Sequence, residues 1–422
     1  MYLGVIADDF TGGTDIAGFL VQNGLSATQY IGVPDTAFCG PQPNAAIISL
    51  KSRSCPVDEA VQDSLAALSW LQSQGCCRFF FKYCSTFDST AKGNIGPVTD
   101  ALLAALRCDI TVLAPALPVN GRTVYMGNLF VNGVPLDESG MRYHPVTPML
   151  DTNIMRLMEA QAQGKAANIA FPVIASGSAS IRAAIDDLRR DGIRYAVPDA
   201  LTEKHLDDLG EALADMPLVT GGSGLGVGIA RHIQQQFQLK GQNSIDAGVP
   251  PGGKCVVLAG SASAMTNAQV ARYCAVAASQ KISVHRCITT PLPYAADIAA
   301  WAAPLAHGGN APLVYASVGP EELAAVQKEY GAETSGLAVE HFFASLAKAL
   351  RTAGVDHFIV AGGETSGAVV KALGIKAFHI GPQIAPGVPW VRAVDSPVSL
   401  ALKSGNFGDE DFFAAAQKFF RQ

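Results

Sequence analysis

Two rhythms of apolar residues alternate along this chain. Short, nearly continuous apolar runs recur at LGVIA (3–7), AAIISL (45–50), RFFFKY (78–83), ITVLAP (110–115) and PLVTGG (217–222). They are too short for helices and bounded by polar or turn-forming residues, so they predict buried strands. Between them the apolar positions shift to helical spacing, as in Ile16, Ala17, Phe19, Leu20 and Val21 after the first run. The second half repeats the alternation, with KCVVLAGS, ISVHRC, PLVYASV and HFIVAGG as strands and 266–278 and 337–352 as helices. The pattern predicts an α/β fold with two domains, each built on a mostly parallel sheet flanked by helices. The rhythm breaks at QLKGQNSIDAGVPPGGK (238–254), where polar and turn residues cluster. The expected division is therefore a domain over 1–238, a linker over 239–253 and a second domain over 254–422.

Composition narrows the function classes. The 422 residues are 49% hydrophobic and 16% charged, which suits a compact enzyme and excludes a disordered chain. A formal net charge of −6 argues against a nucleic-acid partner, which asks for a basic face. No apolar stretch approaches the roughly 20 residues of a membrane span. Nine cysteines form no CxxC pair and read as reduced thiols of a cytoplasmic protein, and the first strand leaves no export leader before it. The eight histidines show no ligand spacing, so no structural metal site is expected.

Candidate chemistry gathers at the strand ends. ADDFTGGTD (7–15) puts Asp8, Asp9 and Asp15 around a double glycine directly after the first strand. One carboxylate would suffice as a helix cap, and three oppose a phosphate cradle. Such a group suits the hydroxyls of a polyol, a metal ion, or a proton to be removed. SLKSRS adds Ser52 and Arg53; FKYCSTFDSTAKGN adds Lys82, Asp88, Ser89 and Lys92; NGR adds Arg122; and GGSG adds Ser223 at a helix start. Carboxylates, cations and hydroxyls together fit a short polyhydroxy acid, with Arg53 or Lys82 pairing its carboxylate.

The second half carries glycine-rich turns instead. AGSAS holds Ser261 and Ser263, AGGETSG holds Gly362, Gly363, Glu364 and Thr365, and KSGNFG holds Lys403 and Gly405. Glycine lets a backbone approach a ligand closely, and amides at a helix start point at anions, so a nucleotide site is expected here. GVPPGGKC (248–255) has the spacing of a phosphate-binding loop but lacks the following Ser or Thr and precedes its strand, so it is read as a decoy.

ADDFTGGTD, FDST, APALPVNGR, GGSGL, AGSAS, GGETSGAV and KSGNFG, in this order, resemble the four-carbon acid sugar kinase family over nearly the whole chain. KYCSTFDST and GNIGPV are most similar to the branch that phosphorylates 3-oxo-tetronates at the terminal hydroxyl. The resemblance implies an N-terminal substrate domain and a C-terminal nucleotide domain. It also implies ATP contacts at Ser263, Gly362, Gly363, Glu364, Thr365 and Gly405. Asp8, Asp9, Arg53, Asp88, Ser89, Arg122 and Ser223 would then face the sugar acid. Many relatives have arginine where this chain has Lys92, which leaves the exact acid open. The expected reaction is transfer from ATP with Mg²⁺, with Asp8 or Asp9 as the base and Asp88 as the competing assignment. Donor and acceptor sites on different domains imply closure around the linker. The rivals are a D-threonate or D-erythronate kinase, a dehydrogenase, and a sugar-acid sensor without catalysis. Sugar acid and ATP are the expected partners, with no nucleic acid and no membrane, and a homo-oligomer is compatible with the sequence.

Overall fold

The computed structural model describes residues 1–35, 42–143, 147–239, 247–317 and 319–420. The chain divides into two compact units, Met1–Ser244 and Ile245–Gln422. Residues 240–246 of the expected linker lie outside the described residues, as does Cys39.

The first unit contains β1 (Leu3–Ala7), β2 (Ala27–Ile31), β3 (Ala45–Ser49), β4 (Phe79–Lys82), β5 (Thr111–Ala114), β6 (Arg122–Tyr125), β7 (Asn128–Val131), β8 (Val134–Pro135), β9 (Ala166–Ile169), β10 (Tyr195–Pro198) and β11 (Leu218–Gly221). Eight of them form one parallel sheet in the order β2-β3-β1-β4-β11-β5-β10-β9, and β6-β7-β8 form a small antiparallel sheet. β1 and β4 are buried throughout, as expected of strands covered on both faces. From β1 the chain crosses to the outer strand β2, comes back through β3, and then passes to β4 on the other side of β1, so β1/β4 is the topological switch point. Ala7 pairs with Ser49 and Lys82, and Gly221 pairs with Lys82 and Ala114, which aligns the carboxyl ends of five strands on one edge.

Two features lock that edge. Helices Glu203–Ala212 and Ser223–Phe237 pack together at Gly210 and Gly228, where a Cβ on Gly228 would overlap the Leu206 carbonyl. Under the first turn runs a buried polar chain. Thr14 Oγ1 donates to Gln29 Oε1 (2.9 Å), and Gln29 Nε2 donates to the Phe10 carbonyl (3.0 Å) and to Ser49 Oγ (2.8 Å).

The second unit contains β12 (Cys255–Ala259), β13 (Ser279–Lys281), β14 (Leu313–Tyr315), β15 (His357–Ala361), β16 (Ala377–Ala385), β17 (Val388–Ala393) and β18 (Ser399–Lys403). Their order is β13-β14-β12-β15-β18-β17-β16, parallel through β18 and antiparallel from β18 to β16. Here the switch point falls between β12 and β15. ISVHRC is not a strand. The strand is the polar Ser279–Lys281, and Ser283 then caps helix Val284–Thr289 by accepting from the Arg286 N–H (3.4 Å). Lys254 of the GVPPGGKC segment stands at the amino end of β12, where its Nζ donates to the Ala353 carbonyl (3.2 Å). It is therefore at the wrong end of its strand for a phosphate loop.

Candidate active site

In open α/β sheets ligands bind outside the carboxyl ends of strands, at a switch point. β1 leads directly into Asp8 and Asp9 there. The Asp8 carbonyl accepts from the Ser52 and Arg53 N–H groups (2.9 and 3.2 Å), which ties the SLKSRS turn to β1. Arg53 Nε and Nη2 then donate to Asp8 Oδ2 and Oδ1 (2.8 and 2.9 Å), and its Nη1 lies 3.0 Å from Asp9 Oδ2. Both Asp8 oxygens are engaged. Desolvation raises the Asp8 carboxyl above its ordinary range, against the pull of Arg53. Burial also works against the Arg53 charge, but Asp8 and Asp9 outweigh it and hold the guanidinium firmly protonated.

Asp9 has a second task. Its Oδ1 accepts from the Gly12 N–H (2.6 Å), capping helix Phe10–Gln22. The double glycine follows from space: a Cβ on Gly12 would press on the Asp9 carboxylate, and one on Gly13 would overlap Ser49 Oγ.

Asp8, Ser52, Arg53, Asp88, Ser89 and Asn94 line one small cleft. Phe87 and Asp88 both have left-handed backbone (φ 65° and 40°), a strained arrangement for two consecutive non-glycine residues. Burial of Phe87 edge-on to Tyr83 (5.7 Å between centroids) and the Thr86 hydroxyl, which donates to Asp88 Oδ1 (2.6 Å), hold it. Ser89 Oγ donates to Gln161 Oε1 (2.7 Å), and the Ser52 hydroxyl is buried without a protein partner.

Beside this cleft lies a second group, built around Asp15. Asp15, a residue of the second helical turn, accepts from the Ser223 hydroxyl at Oδ2 and keeps Oδ1 buried without a partner. Desolvation raises its pKa, opposed chiefly by Lys82 and also by Arg122. Lys82 is buried and donates to the Tyr83 carbonyl (2.8 Å), while Arg122 donates to the Asn120 carbonyl and buries an unpartnered Nε. Neither cation is ion-paired among the described residues. Lys92 stands apart, exposed on the turn beyond the cleft. Asp15 had been visible as the third carboxylate of its motif, but helical spacing from Asp9 did not reveal its pairing with a helix start more than 200 residues later.

In the second unit Ala259, Ala361 and Lys403 stand side by side in register, so the three glycine turns converge. A Cβ on Gly405 would press on the Ser261 and Ser263 hydroxyls, and Gly362, at φ 123°, passes close to the Ser261 N–H. Ser263 caps helix Ala264–Cys274 by accepting from the Thr266 N–H (3.3 Å), whereas helix Gly363–Ala372 begins with no side-chain cap. Its first amides are left for an anion. Glu364 is exposed at that start and Thr365 is buried against Gly260. Lys403 does not reach toward the opening. It is buried, and its Nζ donates to Thr266 Oγ1 (3.1 Å) and to the Ser404 and Gly405 carbonyls (3.0 and 2.9 Å). The donor set of hydroxyls and helix-start amides fits the phosphates of a nucleotide. Among the described residues no cluster of His, Cys, Asp or Glu could by itself hold a metal ion.

Two family models divide the chain in the same order: a sugar-binding N-terminal domain matches residues 3–229 and a nucleotide-binding C-terminal domain matches residues 256–413. A curated relative from Pectobacterium atrosepticum, named 3-oxo-tetronate kinase, is 56% identical over 421 residues, 99% of each chain. One of the same name from Brucella melitensis biotype 1 is 57% identical over 429 aligned positions, covering 100% of this chain and 96% of its own. The crystal structure of a Salmonella typhimurium LT2 protein, provisionally described as a tRNA synthase, superposes with a TM-score of 0.94 at 54% identity over 100% of both chains.

Proposed function

Because the chain belongs to the four-carbon acid sugar kinase family, we propose that it transfers the terminal phosphoryl group of ATP to the 4-hydroxyl of a 3-oxo-tetronate. Full-length identity of 56–57% to proteins named 3-oxo-tetronate kinase carries this reading. The chemistry of the two edges supports it: buried carboxylates and unpaired cations in one unit, glycine turns and helix-start amides in the other. A tRNA-directed activity finds no such support in a chain of net charge −6.

Lys82 and Arg122 hold the substrate carboxylate, since Arg53 is already committed to Asp8 and Asp9. Ser89, Asp88 and the free Ser52 hydroxyl meet the substrate's oxygens. The proton acceptor comes from Asp8, Asp9 or Asp88, and their surroundings rank them. Asp8 is tied at both oxygens, Asp9 divides its own between Gly12 and Arg53, and Asp88 accepts one hydroxyl at Oδ1. In the second unit Ser261, Ser263, Gly405 and the amides of 362–365 hold the phosphates. When bound, ATP supplies the phosphoryl group and Mg²⁺ offsets the phosphate charge. A magnesium ion that keeps several waters and phosphate oxygens needs at most one or two protein carboxylates, so it does not ask for a preformed cluster of ligands among the described residues. A cytoplasmic setting suits this ATP-dependent reaction, and the eight described cysteines, none in a disulfide, would stay reduced there.

ADP release coupled to a reporter, measured with Mg²⁺ and ATP over 3-oxo-tetronates, threonates and erythronates, tests the reading. Turnover confined to the 3-oxo acids is expected. Turnover with the plain acids would move the chain to the sister activity, and none with any acid would overturn the kinase reading.

A further inference from the structure

Gln161 belongs to none of the motifs that supply the cleft of the first unit, yet it holds one of that cleft's side chains. It lies just after helix Ile154–Glu159, and its Oε1 accepts from two donors at once, the Ser89 hydroxyl (2.7 Å) and the Gly96 N–H (2.9 Å). Its Nε2 donates to the Leu157 carbonyl (3.1 Å). The amide therefore has one orientation, because a backbone N–H only donates and a backbone carbonyl only accepts. Close packing keeps it there. A Cβ on Gly96 would come within 2.6 Å of the Gln161 carbonyl oxygen, so the glycine is what lets helix Ile95–Leu106 start against this segment.

That orientation fixes a proton. A serine hydroxyl has one to give, and Ser89 gives it to Gln161, so toward the cleft Ser89 Oγ offers only lone pairs. Two other lining groups are set the same way. Asn94 Nδ2 donates to the Ser52 and Cys55 carbonyls (2.7 and 2.9 Å), which leaves its Oδ1 to accept, and Asp88 accepts as any carboxylate does. Ser52 and Arg53 hold the donors that remain in the cleft. A substrate oxygen lodged against Ser89 must therefore bring a proton. An alcohol is matched there, whereas an oxo or carboxylate oxygen would face lone pairs and go unpaired. Resting on the sugar-acid reading of this cleft, we propose that Gln161 is a positioning residue for substrate selection: by holding Ser89 as an acceptor, it reserves that position for an alcohol of the sugar acid. In a 3-oxo-tetronate the alcohols are the 2- and 4-hydroxyls, so the 3-oxo group and the carboxylate lie elsewhere.

Fluorine in place of a hydroxyl keeps roughly the size of the group and removes its proton, so the 2-deoxy-2-fluoro and 4-deoxy-4-fluoro analogues of 3-oxo-tetronate read this position directly. By calorimetry on the full-length protein, one of the two should bind at least about tenfold more weakly than the parent acid. Gln161→Met removes the amide acceptor, and Ser89 can then turn its proton toward the ligand. The parent-to-fluoro ratio at that carbon should fall by about threefold or more. Gln161→Glu still offers an acceptor to Ser89 and Gly96 and should restore the ratio. Ser89→Ala should narrow it as well, and adding Gln161→Met to Ser89→Ala should change it no further. A merely structural role would weaken parent and analogues alike, so an unchanged ratio in Gln161→Met overturns the proposal. Equal binding of all three acids by the unaltered protein overturns it too, and so does an unchanged ratio in Ser89→Ala, whether or not Gln161→Met folds. Each of these leaves the kinase reading intact as long as the unaltered protein turns over the parent acid with ATP. Neither binding nor turnover of that acid would remove both.

Discussion

Arg53 commits its guanidinium to Asp8 and Asp9, so the most conspicuous cation of the first unit is already engaged by carboxylates. Removing it should uncouple the aspartate pair, and on the proposed reading the substrate carboxylate falls to Lys82 and Arg122. Lys403 shows a similar inversion. Desolvation pulls its pKa down to about 7, although its hydroxyl and two carbonyl acceptors favour the ammonium form. A lysine whose folded pKa lies below its unfolded value of about 10.4 makes the unfolded chain bind more protons between those limits. Its contribution to stability is therefore full above the upper limit, shrinks as pH falls toward 7, and is flat below. Denaturation at a series of pH values, comparing the unaltered chain with Lys403→Met, should show a difference in slope of up to about 1.4 kcal/mol per pH unit within that window. Parallel profiles would mean that Lys403 keeps its proton in the fold.

Secondary elements meet at distances that side chains do not permit. Helices Glu203–Ala212 and Ser223–Phe237 touch backbone to backbone at Gly210 and Gly228, and the second of them delivers Ser223 to Asp15. Gly228→Ala should therefore destabilise the protein by about 1–3 kcal/mol in chemical denaturation, the reverse of the usual gain for glycine to alanine in a helix. It should also lower turnover by shifting Ser223. Elements of this kind differ sharply in how well the sequence disclosed them. The central strands were legible because burial on both faces makes their apolar runs continuous. β16 was not, because AFHIGPQIA contains a Gly-Pro that reads as a turn. The structure accommodates it with a register shift between Ile380 and Gln383. β13 was missed because a short, polar edge strand carries no periodic signal, whereas the β-branched residues of ISVHRC imitate one. At the site, the residue types at strand ends were legible, since strand direction alone brings them to one edge. Their pairings were not: that Arg53 serves Asp8, that Asp15 meets Ser223, and that Lys92 faces solvent depend on turns whose geometry has no sequence period.

For the whole molecule, the two edges imply a division of labour that hydrogen exchange can read on the intact chain. A non-hydrolysable ATP analogue should slow exchange at 260–266, 362–366 and 404–408 and leave the first unit unchanged. A 3-oxo-tetronate should instead protect 8–13, 50–54 and 83–94. Protection of the first set by the sugar acid alone would contradict the assignment of donor and acceptor. The form of the second response is already written into the first unit. Thr14, Gln29 and Ser49 form a fully buried chain of hydrogen bonds beneath the ADDFTGG turn, and Asp9 and Arg53 fasten it from above. A turn clamped on both sides has little conformational freedom left to lose, so the acid meets a surface already set for it. Recognition there is a matter of exchanging water for fixed partners, and its heat should come from those contacts with little entropy of ordering set against them.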